Sequence, residues 1–197
     1  MLPSTMSSCD FLDLIDVSEK RRAACRISVR KEHLANAIDL IHARRLQFGI
    51  VPTERQDIDV YGGSDPTYFH NDDYEIYVAA DVMVVQELIQ AEYQDDHGNL
   101  GYYYDYPICC IKAFAISVKH VMHKYNYLSS ALSESIPGEQ FSKYMTPDLH
   151  NRTISFFPCR FDCQAALKIA SRRGALMEAY GKPIAPTIFE RRVFDVA

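Results

Sequence analysis

Apolar residues recur at helical spacing along some stretches of the chain and on alternate positions along others, and the two patterns divide it into helices and strands. Residues 25–29 read as a short strand. Between Lys31 and Phe48, Leu34, Ala37, Ile38 and Ile41 form a helical stripe, which Gly49 is placed to end before Val51-Pro52 breaks the chain. Residues 58–60 are a candidate strand stopping at the turn 62–66. Tyr74, Ile76 and Val78 share one face, as a half-buried strand requires, and Asp81 is placed to cap a helix running to about Tyr93. A polar, tyrosine-rich loop is expected over 95–106. Pro107 then opens a helix to about Tyr125, with Cys110, Phe114, Val118, Val121 and Tyr125 along one side. Residues 127–152 read as a long loop and 153–157 as a strand. A last long helix over about 161–180 carries Cys163, Leu167, Ala170, Gly174 and Met177 on one face, and the tail offers a terminal strand.

This gives an α+β chain of about four helices and several short strands. Helices and strands do not alternate regularly enough for a doubly wound sheet. Residues 1–20 are expected as a flexible N-terminal segment whose Phe11, Leu12, Leu14 and Ile15 can dock on the body. Residues 21–197 are expected as one domain, with the cysteine site in 101–180.

Composition narrows the function classes. With 197 residues and 48% hydrophobic content, the chain can bury a core without disulfides. A net charge of -5 argues against broad binding to nucleic acid or an anionic membrane, leaving only a local basic patch at Lys168, Arg172 and Arg173. No apolar run reaches the roughly 20 residues that span a bilayer. The opening residues lack the basic region of a secretory signal, so the expectation is a cytoplasmic protein whose six cysteines are thiols or ligands.

Four of those cysteines fall in two groups, Tyr106-Pro-Ile-Cys-Cys110 and Phe157-Pro-Cys-Arg-Phe-Asp-Cys163. Each group follows a proline and sits where a helix should begin. A helix N-terminus carries unpaired N–H groups and partial positive charge, which favours the thiolate. Two such starts brought together present Cys109, Cys110, Cys159 and Cys163 to one thiophilic centre. Cys159 and Cys163 have the spacing of a structural zinc pair. Cys109 and Cys110 are adjacent, and neighbours at a helix start diverge by about 100°. Divergence suits a cluster whose irons are reached from several directions, so the spacing favours an iron–sulfur cluster of the 4Fe-4S type, with zinc as the alternative. Free cysteine also packs as a small hydrophobe, and Cys110 and Cys163 lie on apolar faces that a plain core would use.

The segments GYYYDYPICCIKAF and FFPCRFDCQAALKIA resemble the paired YPxCC and FPCxxxC signature of a poorly characterised prokaryotic domain-of-unknown-function family. The resemblance covers about residues 100–180 and implies that the four cysteines belong together; it implies no activity. The family's lead-in is Leu-Gly-Tyr-Pro, whereas here four residues separate Gly101 from Tyr106, so the loop entering the site differs.

Three function classes follow. A metalloenzyme would act on a small-molecule substrate at an open cluster position, with Arg160 and Tyr106 as candidate catalytic residues and Tyr102, Tyr103 and Tyr104 lining the pocket. A structural zinc-binding protein needs only four ligands and closure, and a redox or electron-transfer protein needs an exposed cluster. His120 and His123 can share a helical face but lie about three turns beyond Cys110, too far to ligate the same centre, and His70 reads as an exposed loop residue. Asp95, Asp96 and Asn99 lack the spacing of a calcium loop. The chain carries no P-loop and no G-x-G-x-x-G. Its oligomeric state is not written in the sequence.

Overall fold

The alternating residues 73–79 become the central strand of a three-stranded antiparallel sheet. The computed structural model describes residues 6–52, 73–120, 154–156 and 158–180. Within them the order is α1 (Ser8–Ser18), β1 (Ala24–Arg30), a single 3₁₀ turn (Lys31–His33), α2 (Leu34–Ala43), β2 (Gln47–Pro52), β3 (Asp73–Ala79), α3 (Val82–Tyr93), α4 (His97–Tyr103), α5 (Ile108–His120) and α6 (Gln164–Ala179). Six helices and one antiparallel sheet among the described residues make this an α+β fold.

β3 pairs with β1 in the register Ile27↔Ile76 and with β2 in the register Ile50↔Ile76. Both faces of β3 are covered, which the reading of a half-buried strand did not anticipate. Ile76 and Val78 join Cys25, Ile27, Val29, Ala37, Ile41, Leu14 and Val17 in the main core. On the opposite face Tyr77 and Ala79 pack with Val85, Leu88 and Ala91 of α3 and with Leu100 and Tyr104. β1 keeps the strict alternation of a strand: Cys25, Ile27 and Val29 are buried, while Arg26 and Ser28 turn outward to Glu75 and Glu92.

Several expected elements change. The stripe read as a helix to Phe48 ends at Ala43, because Arg45 takes a left-handed conformation (φ 57°). The Arg45 N–H donates to the His42 carbonyl at 2.9 Å and the Leu46 N–H to the Ile41 carbonyl at 3.3 Å, the paired bonds that close a helix C-terminus. Arginine occupies the position where glycine is usual, so the stop was not visible in the sequence. Gly49 instead lies inside β2, where a Cβ would stand 2.6 Å from Cδ1 of Ile89 and 3.1 Å from Cγ1 of Val85. It is there to let α3 approach the sheet. Gly49→Val is therefore expected to cost about 1–3 kcal/mol by overpacking, read as a lower urea midpoint; an unchanged midpoint would show that α3 can retreat freely.

The tyrosine-rich loop contains helix α4, capped by Asp96, whose carboxylate accepts from the Asn99 N–H at 3.1 Å. Residues 154–156 form no strand; Ile154 and Phe156 are buried through a bend. Asp81 does cap α3, accepting from the Met83 N–H at 2.9 Å. The expected strand at 58–60, the turn at 62–66, the end of α5 beyond His120, the loop at 127–152 and the terminal strand lie outside the described residues.

Residues 8–18, expected within a flexible segment, form α1, whose Phe11, Leu12, Leu14, Ile15 and Val17 are all buried. Ser7 caps it, accepting from the Asp10 N–H. Asp13 and Asp16 are buried as well, because arginines meet them. Arg173 of α6 reaches both, donating from Nε to Asp16 at 2.8 Å. Arg172 donates two bonds to Asp16, Arg21 a third at 3.0 Å, and Arg22 pairs with Asp13 at 2.5 Å. With Leu12 packed on Met177, this network fastens α1 to α6. It also removes the basic patch expected at Lys168, Arg172 and Arg173, since Arg173 is wholly buried and Arg172 is committed to Asp16. Among the described residues no helix is long and apolar enough to cross a membrane.

Candidate metal centre

α5 begins immediately after Pro107, whose carbonyl accepts the first helical bonds from Cys110 and Ile111 at 2.8 and 3.0 Å. This places Cys109 and Cys110 in the first turn. α6 begins at Cys163, its N-cap residue, and Cys159 lies in the irregular segment just before it. The sulfurs of the two groups converge. Cys109 and Cys163 have sulfurs 3.7 Å apart, Cys109 and Cys110 3.9 Å, and Cys110 and Cys163 3.9 Å. All four ligand atoms, Cys159 included, lie within 4.8 Å of one another. The cluster of cysteines read in the sequence is thus assembled, and its four sulfurs are close enough together to hold a metal ion. Cys9 and Cys25 are buried and stand outside this group.

Burial of the four ligands is uneven. Cys110 and Cys163 are buried with Ile154, Phe156, Phe161, Ala166 and Ala170, Cys159 is half-buried, and Cys109 is exposed. The Cys159 N–H donates to the Cys110 sulfur at 3.3 Å, so backbone as well as metal chemistry is available to that thiolate. Burial pushes the Cys110 thiol well above its ordinary range, and burial together with the neighbouring sulfurs pushes Cys159 up to about 11. Burial works against the Cys163 thiolate too, but the Ala166 amide and the thiols of Cys109, Cys159 and Cys110 outweigh it and lower that group. A positive ion at the centre would offset the burial and the mutual repulsion that oppose the Cys110 and Cys159 thiolates.

The other candidates are placed elsewhere. Arg160 donates two hydrogen bonds to the buried Asp162 carboxylate, at 2.9 and 2.8 Å. The Tyr106 hydroxyl donates to the Ser155 carbonyl at 3.3 Å, and its ring packs on Phe156 with centroids 4.8 Å apart. Tyr104 is buried against the sheet, Tyr103 donates to Glu87, and Tyr102 is exposed. Asp96 serves α4 as its cap, and Asp95 takes a left-handed turn conformation. His70 and His123 lie outside the described residues.

The sequence reading took Tyr106 as a catalytic candidate and passed over its partner Ser155 and the Asp13 and Arg22 that hold Ser155. Ser155 and Tyr106 hydrogen-bond across 49 residues of sequence, and Ser155 donates onward to Asp13 at 3.2 Å. Two aspartates inside the apolar run Phe11–Val17 were the available signal.

No curated protein and no solved structure matches the chain. A family described as protein of unknown function (DUF483) matches residues 69–183. That stretch is longer than the resemblance carried by the cysteine segments. It takes in β3, α3 and α4 as well as α5 and α6, and it covers more than half of the chain. Membership rests on this stretch as a whole, and the grouping of the cysteines rests on the geometry. The chain belongs to the DUF483 family of proteins of unknown function.

Proposed function

We propose that the chain is a metalloprotein in which Cys109, Cys110, Cys159 and Cys163 hold one tetrahedral ion, zinc, as a structural staple between α5 and α6. The sulfur separations carry this reading. Four thiolates around a zinc at about 2.3 Å form a tetrahedron with edges of about 3.8 Å. Three of the separations are 3.7, 3.9 and 3.9 Å, and none exceeds 4.8 Å. In a 4Fe-4S cluster each thiolate binds its own iron, and the body of the cluster holds the sulfurs further apart. The adjacency of Cys109 and Cys110 does not demand the larger centre, since their sulfurs converge to 3.9 Å. A staple also suits a segment with no regular backbone of its own: the described residues 154–163 contain no helix or strand.

A second reading, an iron–sulfur cluster acting on a small molecule, draws on the exposure of Cys109, which leaves one corner of the site reachable from solvent. Against it, both candidate groups already have partners: the Arg160 guanidinium is paired with Asp162 and the Tyr106 hydroxyl is bonded to the Ser155 carbonyl. Metal analysis of protein purified without oxygen separates the two. The expected result is about one zinc per chain, a colourless solution, and the visible absorption of tetrahedral cobalt–thiolate after cobalt exchange. A brown protein carrying iron and sulfide would overturn zinc in favour of the cluster. Single replacement of any of the four cysteines by Ser is expected to reduce bound metal sharply, whereas Cys9→Ser and Cys25→Ser leave it unchanged. Full metal content in one of the four variants would reduce the ligand set to three.

A further inference from the structure

Tyr106 stands three residues before Cys109, and Ser155 stands four before Cys159. The bond between them, at 3.3 Å, therefore ties together the two ligand-bearing segments just upstream of the sulfurs. That tie is itself anchored. The Ser155 hydroxyl donates to Asp13 of α1 at 3.2 Å, and Arg22 donates to the same hydroxyl at 3.3 Å while pairing with Asp13 at 2.5 Å. The Arg22 guanidinium also sits over the Tyr106 ring, 5.2 Å from its centroid. Arg173 pairs with the same Asp13 oxygen.

We infer that Asp13, acting through Ser155 and Tyr106, is a positioning residue for the metal centre, so that α1 sets how firmly the ion is held. The inference rests on the reading of the four cysteines as ligands and adds to it a control from outside the family-matched stretch, since Asp13 and Arg22 both precede residue 69. The physical reason is one of register. Four sulfurs make one tetrahedron only if the α5 start and the 158–163 segment stand at a fixed separation. The metal can enforce that separation at a cost to its own binding, or the surrounding bonds can set it beforehand, and groups beyond the ligands commonly change metal affinity about 10–100-fold. Tyr106 and Ser155 touch no metal; they act by holding the backbone that carries the ligands.

The test uses the full chain loaded with cobalt and titrated against a chromophoric chelator. Ser155→Ala and Tyr106→Phe remove only hydroxyl groups and keep the packing, so both variants should fold. Each is expected to weaken metal binding about tenfold and to alter the cobalt–thiolate absorption. Asp13→Asn is expected to weaken it at least as much. Glu32→Gln, in an exposed pair with Arg30 that shares no partner with the Asp13 network, serves as the control and should change neither. The absorption change matters because a general loss of stability would not reshape the ligand field of the folded fraction. Unchanged affinity and spectrum in both Ser155→Ala and Tyr106→Phe would overturn the positioning role while leaving the four-thiolate site intact. A wild-type chain that takes up no cobalt or zinc would overturn the site itself and this inference with it.

Discussion

Removing the metal is expected to unfold the α5–α6 end of the protein and leave the sheet standing. The two ends have different sources of stability. The sheet is enclosed on one face by Cys25, Ile27, Val29, Ala37, Ile41, Ile76 and Val78 and on the other by Tyr77, Val85 and Leu88, and its strands pair over seven and six positions. The cysteine end has a smaller core in which two of the seven buried residues, Cys110 and Cys163, are themselves candidate ligands. Its connecting segment contributes no regular backbone pairing among the described residues 154–163. Structural zinc bound by thiolates supplies an apparent free energy of about 10–16 kcal/mol in small peptides, comparable to the total stability of a domain. Taking it away also leaves four thiols crowded within 4.8 Å, two of them buried. Hydrogen exchange after chelation should therefore show lost protection over 108–116 and 164–174 and retained protection in β1 and β3. Equal protection with and without metal would mean that packing alone holds the cysteines together.

How much of this was legible in the sequence depends on the range of the interaction concerned. Local signals read well. Alternation gave β1 and β3, the Asp81 cap gave the start of α3, and Pro107 marked the start of α5, whereas α6 starts only at Gln164, six residues after Pro158. Signals decided by distant partners read poorly. Arg45 ends α2 in a conformation usually left to glycine, and Gly49 is explained only by Ile89 and Val85, forty and thirty-six residues later in the chain. Residues 1–20 were expected as a flexible segment able to dock through its apolar residues; the arginines that meet Asp13 and Asp16 lie in part on α6, far along the chain. The site shows the same division. The ligand set was visible as spacing, but the size of the centre was not, because the divergence of adjacent cysteines along a helix says nothing of which rotamers bring Cys109 and Cys110 to 3.9 Å.

Arg173→Met is expected to destabilise the protein by about 3–5 kcal/mol, because it removes one partner of a buried ion network and strands the others. Arg173 is completely buried, with Nε on Asp16 at 2.8 Å and a second nitrogen on Asp13. Methionine fills part of the volume but donates nothing. Asp16 keeps Arg172 and Arg21, both near the surface, while Asp13 is left to Arg22 and Ser155. Arg173→Lys should fall between the two, since it keeps the charge and loses the planar fork that reaches both carboxylates. The pH dependence supplies an independent check. Burial alone would raise the Asp16 carboxyl, but hydrogen bonds from Arg172, Arg21 and Arg173 and the charge of Arg173 outweigh it and hold the group well below the usual carboxylate range. A carboxyl depressed in the folded state contributes stability that is fully present above its unfolded pKa, about 3.9, and is lost as the pH falls towards the folded value. The wild-type urea midpoint should accordingly decline below about pH 4, and the decline should be shallower in Arg173→Met, which has already lost part of the interaction that protonation destroys. A loss under about 1 kcal/mol would place the network among ion pairs whose desolvation cancels their attraction. An unaltered acid slope would assign the depression of Asp16 to Arg172 and Arg21, and would leave Arg173 to fasten α1 to α6 through Asp13 alone.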